Sequence, residues 1–148
     1  MGRLISVITG KTLAFDTSPL IYYIEQHPQY LQATDDLFNA IDGGDAKGMT
    51  SVLTLLEVLV QPIRSGRLDL AHQYRQLLQG SRGISLFPIL SDHCEVSARL
   101  RAKYEWLRTP DAIQVAAALH HGAEMMVTND DRWRRLTEIR VVVLSDYV

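Results

Sequence analysis

The sequence predicts an α/β fold in which a five-stranded, mostly parallel sheet is covered by helices on both faces. Short apolar runs recur five times along the 148 residues, longer amphipathic segments separate them, and no repeat or low-complexity linker intervenes. Successive strands with a helix between them pair in parallel, and a parallel sheet is buried on both faces. Because 47% of the residues are hydrophobic, we expect a single domain over residues 1–148 with one well-buried interior.

The first half of the chain predicts two strands and four helices, after an N-terminal extension over residues 1–11. They are a strand at 12–15, a helix from Ser18 to about residue 27, a helix at 31–41, a strand at 46–50, a helix from residue 51 and a helix at 69–78. Ser18 is placed to cap the first of these helices, and Pro19 suits its first position. In the helix after residue 51, apolar side chains recur at the spacing of one helical face: Val52, Leu55, Leu56, Leu59 and Ile63.

The second half predicts three strands and three helices. The strands lie at 84–88, 124–128 and 141–144, and the helices lie at 91–106, from Thr109 to a stop at Gly122, and at 130–136. Thr109-Pro110 is a typical helix start, and Gly122 is a typical helix end. Cys94 falls in the middle of a helix, where we expect a small buried side chain rather than a reactive thiol.

Composition and charge exclude several classes of protein. The 15 Lys and Arg against 17 Asp and Glu give a net charge of -2, which does not suit binding of nucleic acid by bulk charge alone. A single cysteine excludes an intrachain disulfide and a cysteine-rich zinc site, and it fits a reducing, cytoplasmic compartment. Charged residues interrupt every apolar run, so we expect no membrane span and no secretory signal.

Four acidic residues are predicted to meet at one edge of the sheet. Asp16 directly follows the first strand and Asp130 nearly follows the fourth, which places both at the carboxyl edge, where such sheets bind ligands. Asp111 opens a helix that must return to the amino edge to reach the fourth strand, so the start of this helix also belongs at the carboxyl edge. Glu57 lies on the margin of an otherwise apolar helix, where an unpaired buried carboxylate is costly.

Each of the four acids also has a purely structural interpretation. Asp111 could complement a helix dipole, Asp130 could cap the short helix after it, and Glu57 could pair with an arginine. Asp16 is harder to explain in this way, because Ser18 is the better placed cap. Four converging carboxylates would repel one another unless cations held them, and oxygen ligands suit Mg²⁺ or Mn²⁺.

Other polar side chains lie close to these acids in the sequence. Those able to orient carboxylates or waters are Thr17, Ser18, Thr54, Thr128, Asn129 and Asp131. Basic side chains that could contact phosphates are Arg108, Arg132, Arg134 and Arg135, although a charge-rich helix is usually only a solvated face. His120 and His121 are consecutive on a helix, so we do not expect both to face one metal ion.

Four short segments resemble the acidic motifs of PIN-domain ribonucleases, and most closely those of VapC-type toxins. In order, they are Phe15-Asp16-Thr17-Ser18-Pro19-Leu20-Ile21, Ser51-Val52-Leu53-Thr54-Leu55-Leu56-Glu57-Val58, Leu107-Arg108-Thr109-Pro110-Asp111-Ala112-Ile113 and Val127-Thr128-Asn129-Asp130. Each segment is short, but their joint order and spacing are specific, and the resemblance extends over residues 12–144.

The resemblance implies a three-layer α/β/α sandwich with a metal site made by Asp16, Glu57, Asp111 and Asp130. It also implies Mg²⁺-dependent cleavage of single-stranded RNA by one or two ions, with Mn²⁺ as the alternative metal. The partners that it implies are a VapB-like antitoxin and a second copy of the chain in a homodimer. Asp131 duplicates the acid next to Asp130, and we favour Asp130 as the ligand.

Other functions have less support in the sequence. A nucleophile elbow, a Walker loop and an H-E-x-x-H motif are all absent. A phosphohydrolase with Asp16 as its nucleophile would carry a second acid two residues later in its best-known arrangement, where Ser18 stands instead. A non-catalytic interaction module is disfavoured because all four acidic positions are filled. A binding protein for a small phosphate ligand lacks a glycine-rich cradle at the first turn between strand and helix.

Overall fold

The computed structural model describes residues 2–148, and its five strands form one sheet. The strands are β1 (Thr12–Phe15), β2 (Lys47–Ser51), β3 (Ile84–Phe87), β4 (Met125–Thr128) and β5 (Arg140–Val143). Their order across the sheet is β3-β2-β1-β4-β5, and every pair is parallel. The predicted α/β class with a five-stranded sheet is confirmed, and each predicted strand lies within one residue of the observed one.

Seven helices connect and cover these strands within the described residues. They are α1 (Gly2–Ile8), α2 (Thr17–Ile24), α3 (Leu31–Asp42), α4 (Val52–Arg64), α5 (Leu68–Gly80), α6 (Ser91–Lys103) and α7 (Thr109–His120). Two short 3₁₀ helices follow, at Asp131–Arg135 and Leu144–Tyr147. Among residues 2–148, no helix combines the length and the apolar character needed to cross a membrane.

Alternate residues of β1 face two separate cores, as the period of a strand requires. Leu13 and Phe15 pack into a core that includes side chains of α1, α2, α3 and α5. Ala14 points to the other face, where it joins side chains of α6 and α7. The sheet is thus the middle layer of the three-layer α/β/α arrangement that the sequence resemblance implied.

The N-terminal extension forms α1, a helix that the sequence did not predict. Its β-branched residues Ile5, Val7 and Ile8 have modest helix propensity, so the local signal is weak. The helix is stabilised instead by tertiary burial, because Leu4 is 1% exposed and Ile8 is fully buried in the core. The extension therefore contributes to the folded core.

Helix α2 begins differently from the prediction. Its cap is Asp16, whose carboxylate accepts the Thr17 N–H, and Ser18 lies inside the first turn with its hydroxyl turned to the chain after β4. Pro19 consequently occupies the third helical position, and the helix ends at Ile24 rather than near residue 27. The Asp16 carboxylate thus caps α2 and also lies at the carboxyl edge of the sheet.

Fewer side chains of helix α4 are buried than the spacing of its apolar residues predicts. Its fully buried positions are Thr54, Val58 and Pro62, whereas four large apolar side chains are exposed on the outer side. We call these four the α4 apolar surface: Val52, Leu56, Val60 and Ile63, with exposed fractions of 37%, 60%, 42% and 54%. Single exposed apolar residues are ordinary, whereas these four lie in a row along one side of the helix.

The expectation that Cys94 is buried is wrong. The buried side of α6 is made by His93, Ser97 and Leu100, which recur at a spacing of four and three residues. Cys94 lies one position beyond this row, on the exposed side of the helix.

Candidate active site

The strand order reverses at β1, which has β2 on one side and β4 on the other. In open parallel sheets a ligand crevice lies outside the carboxyl ends of the strands at such a reversal, and we refer to the region beyond β1 and β4 as the acidic crevice. Asp16 follows β1 directly, and Asp130 comes two residues after β4. The sheet topology therefore brings these two acids to the same crevice.

Asp16 is held by hydrogen bonds to both oxygens of its carboxylate. The Thr17 N–H donates to Oδ1 at 2.8 Å, and the fully buried Thr128 hydroxyl donates to Oδ2 at 2.9 Å. Burial raises the pKa of Asp16, and repulsion from Asp111 and Asp130 acts in the same direction, while the two hydrogen bonds oppose the increase. This carboxylate is therefore costly to ionise unless a cation lies near it.

Asp111 and Glu57 face neighbouring acids as well. Burial raises the pKa of Asp111 in the first turn of α7, and repulsion from Asp130 adds to it. Arg108 opposes this effect, with its Nε 3.5 Å from Asp111 Oδ2. Burial also raises the pKa of Glu57 on α4, again with contributions from Asp16 and Asp111. Three carboxyl groups from three elements therefore repel one another in one region.

Asp130 differs from the other three acids because an arginine neutralises it. Arg132 donates through Nε to Oδ1 at 3.1 Å and through Nη2 to Oδ2 at 2.7 Å, and its backbone N–H reaches Oδ1 at 3.0 Å. These bonds lower the pKa of Asp130. The Arg132 guanidinium also lies 5.8 Å from the centre of the Trp106 ring. To bind a metal ion, Asp130 would have to exchange this guanidinium for the ion.

Hydrogen bonds fasten the segment after β4 to the first helix of the site. The Thr128 hydroxyl donates to Asp16, and its Oγ1 also accepts the Asp130 N–H at 3.0 Å. Ser18 Oγ accepts the Asn129 N–H at 3.1 Å, and Asn129 Nδ2 donates to the Tyr22 hydroxyl at 3.2 Å. Thr128 therefore contacts the carboxylate of Asp16, whereas Ser18 and Asn129 bond to a backbone N–H and to the Tyr22 hydroxyl rather than to a carboxylate.

The sequence reasoning missed Gln114, which connects Glu57 to the interior. This side chain is 3% exposed, donates through Nε2 to Glu57 Oε1 at 3.2 Å, and accepts from Thr54 at 2.8 Å and from Thr50 at 3.3 Å. It is the one polar residue in the apolar stretch of α7, three positions after Asp111. That spacing places both side chains on one helical face and was the available signal.

Asp131 lies outside the group of interacting acids. It is exposed and pairs with Arg134, which also contacts both oxygens of Asp146 at 2.8 Å. Of the two adjacent acids, it is Asp130 whose charge adds to the effect of burial in raising the pKa of Asp16 and of Asp111. Arg135 and Arg108 are both exposed.

The donor set of the acidic crevice fits a divalent cation. It consists of hard carboxylate oxygens, which Mg²⁺ and Mn²⁺ prefer, and burial and mutual repulsion raise the pKa of three of its four acids. Within residues 2–148, no three of these carboxylates lie as close together as the ligands of one ion, so a cation among Asp16, Glu57, Asp111 and Asp130 would draw them together as it relieves their repulsion.

The most closely converged set of metal-ligand side chains lies elsewhere. Over residues 2–148, the one group of three or more His, Cys, Asp or Glu side chains that is close enough to hold an ion is His93, His120 and His121. The expectation that His120 and His121 cannot face a common point is therefore wrong. Consecutive side chains on a helix diverge by about 100°. The imidazole of His93 on α6 lies close to those of both His120 and His121 and brings the three rings together.

Fold and site together define a three-layer α/β protein with an acidic crevice at the point where the strand order reverses. The sequence model of the PIN domain matches residues 13–139, and the chain belongs to this family. No curated protein is significantly similar in sequence.

Solved toxin–antitoxin structures have the same fold. VapBC2 from Rickettsia felis, bound to a DNA fragment from its promoter, matches with a TM-score of 0.71 and 15% identity, over 89% of this chain and 98% of that one. A toxin–antitoxin complex from Klebsiella pneumoniae matches with a TM-score of 0.66 and 24% identity, over 89% and 97%. VapC20 from Mycobacterium tuberculosis, a sarcin-ricin loop cleaving toxin, matches with a TM-score of 0.68 and 16% identity, over 86% and 98%. At these identities the likeness establishes a VapC-like fold.

Proposed function

We propose that this chain is a metal-dependent endoribonuclease that cleaves single-stranded RNA and acts as the toxin of a type II toxin–antitoxin pair in the cytoplasm. The observation that supports the proposal is that burial and repulsion among acids from separate segments raise the pKa of Asp16, Glu57 and Asp111 beside the carboxyl end of the sheet. Membership of the PIN domain family supports the same chemistry.

In this proposal, Asp16, Glu57, Asp111 and Asp130 hold the cation, and neighbouring groups orient them. Bound Mg²⁺ or Mn²⁺, as one or two ions, would supply polarisation of the scissile phosphate and activation of the attacking water. No side chain has to act as a nucleophile, because carboxylates suffice to bind and align such ions.

The hydrogen bonds around the acids set their orientation before a cation binds. Thr128 fixes one oxygen of Asp16, and Gln114 fixes one oxygen of Glu57. The N–H of Thr17 fixes the second oxygen of Asp16. Such outer contacts reduce the rearrangement that ligand binding requires.

The arginines at the rim of the crevice are the proposed contacts to RNA phosphates. Arg108 and Arg132 lie beside Asp111 and Asp130, so an ion that takes over these carboxylates leaves both guanidiniums available for an anion. Arg135 is exposed on the same short helix as Arg132. Arg134 is engaged with Asp131 and Asp146 and would reach a phosphate only after releasing them.

The proposed protein partners are a VapB-like antitoxin and a second copy of the chain. The α4 apolar surface supports binding of a protein, since four large side chains along one helix leave apolar area that only a partner can remove from water. The likeness to toxin–antitoxin complexes supports an antitoxin as one such partner.

RNA cleavage in Mg²⁺ by purified protein, with EDTA and Asp16→Asn as controls, tests the nuclease. We expect cleavage of a mixed single-stranded RNA pool by the wild type alone, with recovery when Mg²⁺ is restored after EDTA. Asp131→Asn is the matched control, because this exposed acid is adjacent to Asp130 but pairs with Arg134, and it should keep its activity. Cleavage that persists in EDTA or in Asp16→Asn would overturn the metal-dependent mechanism.

Growth after induction tests the toxin role separately. We expect induction of the chain to stop growth, Asp16→Asn to leave growth unaffected, and the product of an adjacent small gene to restore it. Normal growth at confirmed expression of an RNA-cleaving protein would contradict the toxin role while leaving the nuclease intact.

A further inference from the structure

Three histidines lie together at the end of α7 that is far from the acidic crevice. His93 is the third residue of α6, His120 is the last residue of α7, and His121 follows it. One nitrogen of each ring lies within 4.8 Å of the others, and the ring centres are 4.8, 5.5 and 4.9 Å apart. Asp111 opens the same helix, so the group is about 13 Å along the helix axis from that acid, at about 1.5 Å per residue.

Two of these imidazoles have a buried nitrogen that is not used within the described structure. The Nε2 atoms of His93 and His121 are both buried and have no hydrogen-bond partner among residues 2–148. His93 as a whole is fully buried. Buried polar atoms in folded proteins are nearly always paired, so two such atoms in one cluster indicate a ligand that they share.

The surroundings of the cluster hold His121 in place, and His120 reaches solvent. Phe87, the last residue of β3, stacks on His121 with ring centres 3.5 Å apart and planes at 9°. His120 is exposed. Burial lowers the pKa of both His93 and His121, which favours the neutral imidazoles that bind metals.

We propose that His93, His120 and His121 form a second metal site, selective for zinc or a similar transition metal and separate from the acidic crevice. Three imidazoles suit Zn²⁺, Ni²⁺ or Cu²⁺ and do not suit Mg²⁺, which prefers oxygen. Zn–N bonds of about 2.0–2.1 Å in a tetrahedron place the nitrogens about 3.3 Å apart, so the present separations need only small side-chain movements. The fourth position is left to water on the exposed side of His120.

One existing hydrogen bond has to change when the metal binds. The Leu90 N–H donates to Nδ1 of His93 at 3.0 Å, which places the proton of this neutral ring on Nε2. Coordination through Nε2 moves that proton to Nδ1 and frees the Leu90 N–H. Leu90 is 49% exposed, so water can take the place of Nδ1 as the acceptor.

The proposed site would connect two helices of one layer. His93 lies at the start of α6 and His120 at the end of α7, and the two helices pack against each other in the core that contains Leu100 and Val115. An ion bound to both helices stabilises the folded state by binding only to it. The site therefore has a structural role, with readouts that do not involve RNA cleavage.

Zinc titration of untagged, metal-free protein tests this site, with excess Mg²⁺ present to occupy the acidic crevice. We expect one equivalent of Zn²⁺ per chain and a melting temperature that rises with zinc. Co²⁺ in place of Zn²⁺ should give the visible absorption of a tetrahedral nitrogen site. Asp16→Asn should bind zinc as the wild type does, because Asp16 belongs to the other site.

His120→Asn is the informative variant, because its side chain is exposed and its loss should not impair folding. We expect it to lose stoichiometric zinc uptake and the thermal shift while melting like the wild type without zinc. His72→Asn, an exposed histidine on α5, is the matched control and should retain both. The proposal is overturned if the wild type takes up no zinc, if His120→Asn binds it as well as the wild type, or if Asp16→Asn abolishes uptake.

Discussion

The buried carboxylate of Asp16 is expected to reduce the stability of the fold at neutral pH. Burial raises its pKa above the value of about 3.9 that it has in an unfolded chain. The folded state therefore holds the proton more tightly, and stability falls as pH rises from about 3.9 through the folded pKa. We expect Asp16→Asn to melt at a higher temperature than the wild type at pH 7 in EDTA, and the difference to vanish below pH 3.5.

Differential scanning calorimetry in EDTA across this pH range measures the effect, and addition of Mg²⁺ should raise the melting temperature of the wild type only. Asn can still accept the Thr17 N–H through its oxygen, but its Nδ2 replaces the oxygen that accepts the Thr128 hydroxyl, so this second bond has to reverse its direction. A less stable Asp16→Asn at pH 7 in EDTA would show that the hydrogen bonds of this carboxylate outweigh its cost of burial.

Gln114 acts on the proposed reaction through Glu57, whose orientation it fixes. In Gln114→Ala, Glu57 loses a donor and the hydroxyls of Thr50 and Thr54 lose an acceptor. We expect about 1–3 kcal/mol lower stability and about 10–100-fold slower RNA cleavage. Urea unfolding and initial cleavage rates measure the two effects, with exposed Gln76→Ala on α5 as the control. An unchanged cleavage rate in a folded Gln114→Ala would remove this residue from the site.

At the scale of elements, the sequence predicts the sheet better than the surfaces of the helices. The five strands are short apolar runs that stand out locally. Because strands alternate with helices along the chain, the sequence also predicts that Asp16, Asp111 and Asp130 belong at the carboxyl edge of the sheet. Which side of α4 is buried depends on the neighbouring layers, so the spacing of Leu56 and Ile63 predicts the helix and not its orientation. Gln114 and His93 were missed for a related reason, because their partners are distant in sequence, and without His93 the pair His120 and His121 was wrongly discounted.

Helix α1 is expected to be part of the folding unit although it lies outside residues 13–139, which match the PIN domain. Leu4 and Ile8 are 1% and 0% exposed, so replacing either by Ala should lower the free energy of unfolding by about 2–5 kcal/mol. Ile5→Ala is the control, because Ile5 is 42% exposed, and should change it by less than about 0.5 kcal/mol. Equal urea midpoints for all three variants would mean that α1 packs only loosely on the core.

The α4 apolar surface is expected to hold two copies of the chain together. Leu56→Ser combined with Ile63→Ser removes its two most exposed side chains. Each side chain that leaves an interface costs about 1.5–3 kcal/mol, so the dissociation constant should rise by at least about 100-fold. Analytical ultracentrifugation measures the change, and Ile5→Ser is a control on another helix. A monomeric wild type, or an unchanged dimer in the double variant, would assign this surface to the antitoxin or to no partner.

At the scale of the whole molecule, the net charge of -2 conceals a division between the site and the rest of the surface. If Asp16, Glu57, Asp111 and Asp130 bind cations, 13 of the 17 acidic residues remain against 15 Lys and Arg. The remaining surface is then mildly basic, and we expect the acidic crevice to change from repelling RNA to attracting it when cations bind. Weak overall charge therefore predicts local, metal-assisted binding rather than a lack of affinity for RNA.

This division predicts how RNA binding responds to metal and to salt. Contacts by three arginines, Arg108, Arg132 and Arg135, give a slope of log K against log salt of about -2 for a single strand. We expect much weaker binding in EDTA than in Mg²⁺, because EDTA restores the repulsion from the acids and returns Arg132 to Asp130.

Fluorescence anisotropy of a labelled single-stranded RNA, with its integrity checked on a gel after each titration, measures both effects. Arg135→Gln should reduce the slope by about 0.7, and Arg64→Gln, an exposed arginine on α4, should leave it unchanged. Equal affinity in EDTA and Mg²⁺, or a slope steeper than about -5, would mean that bulk charge binds the RNA and that the acidic crevice takes no part in holding it.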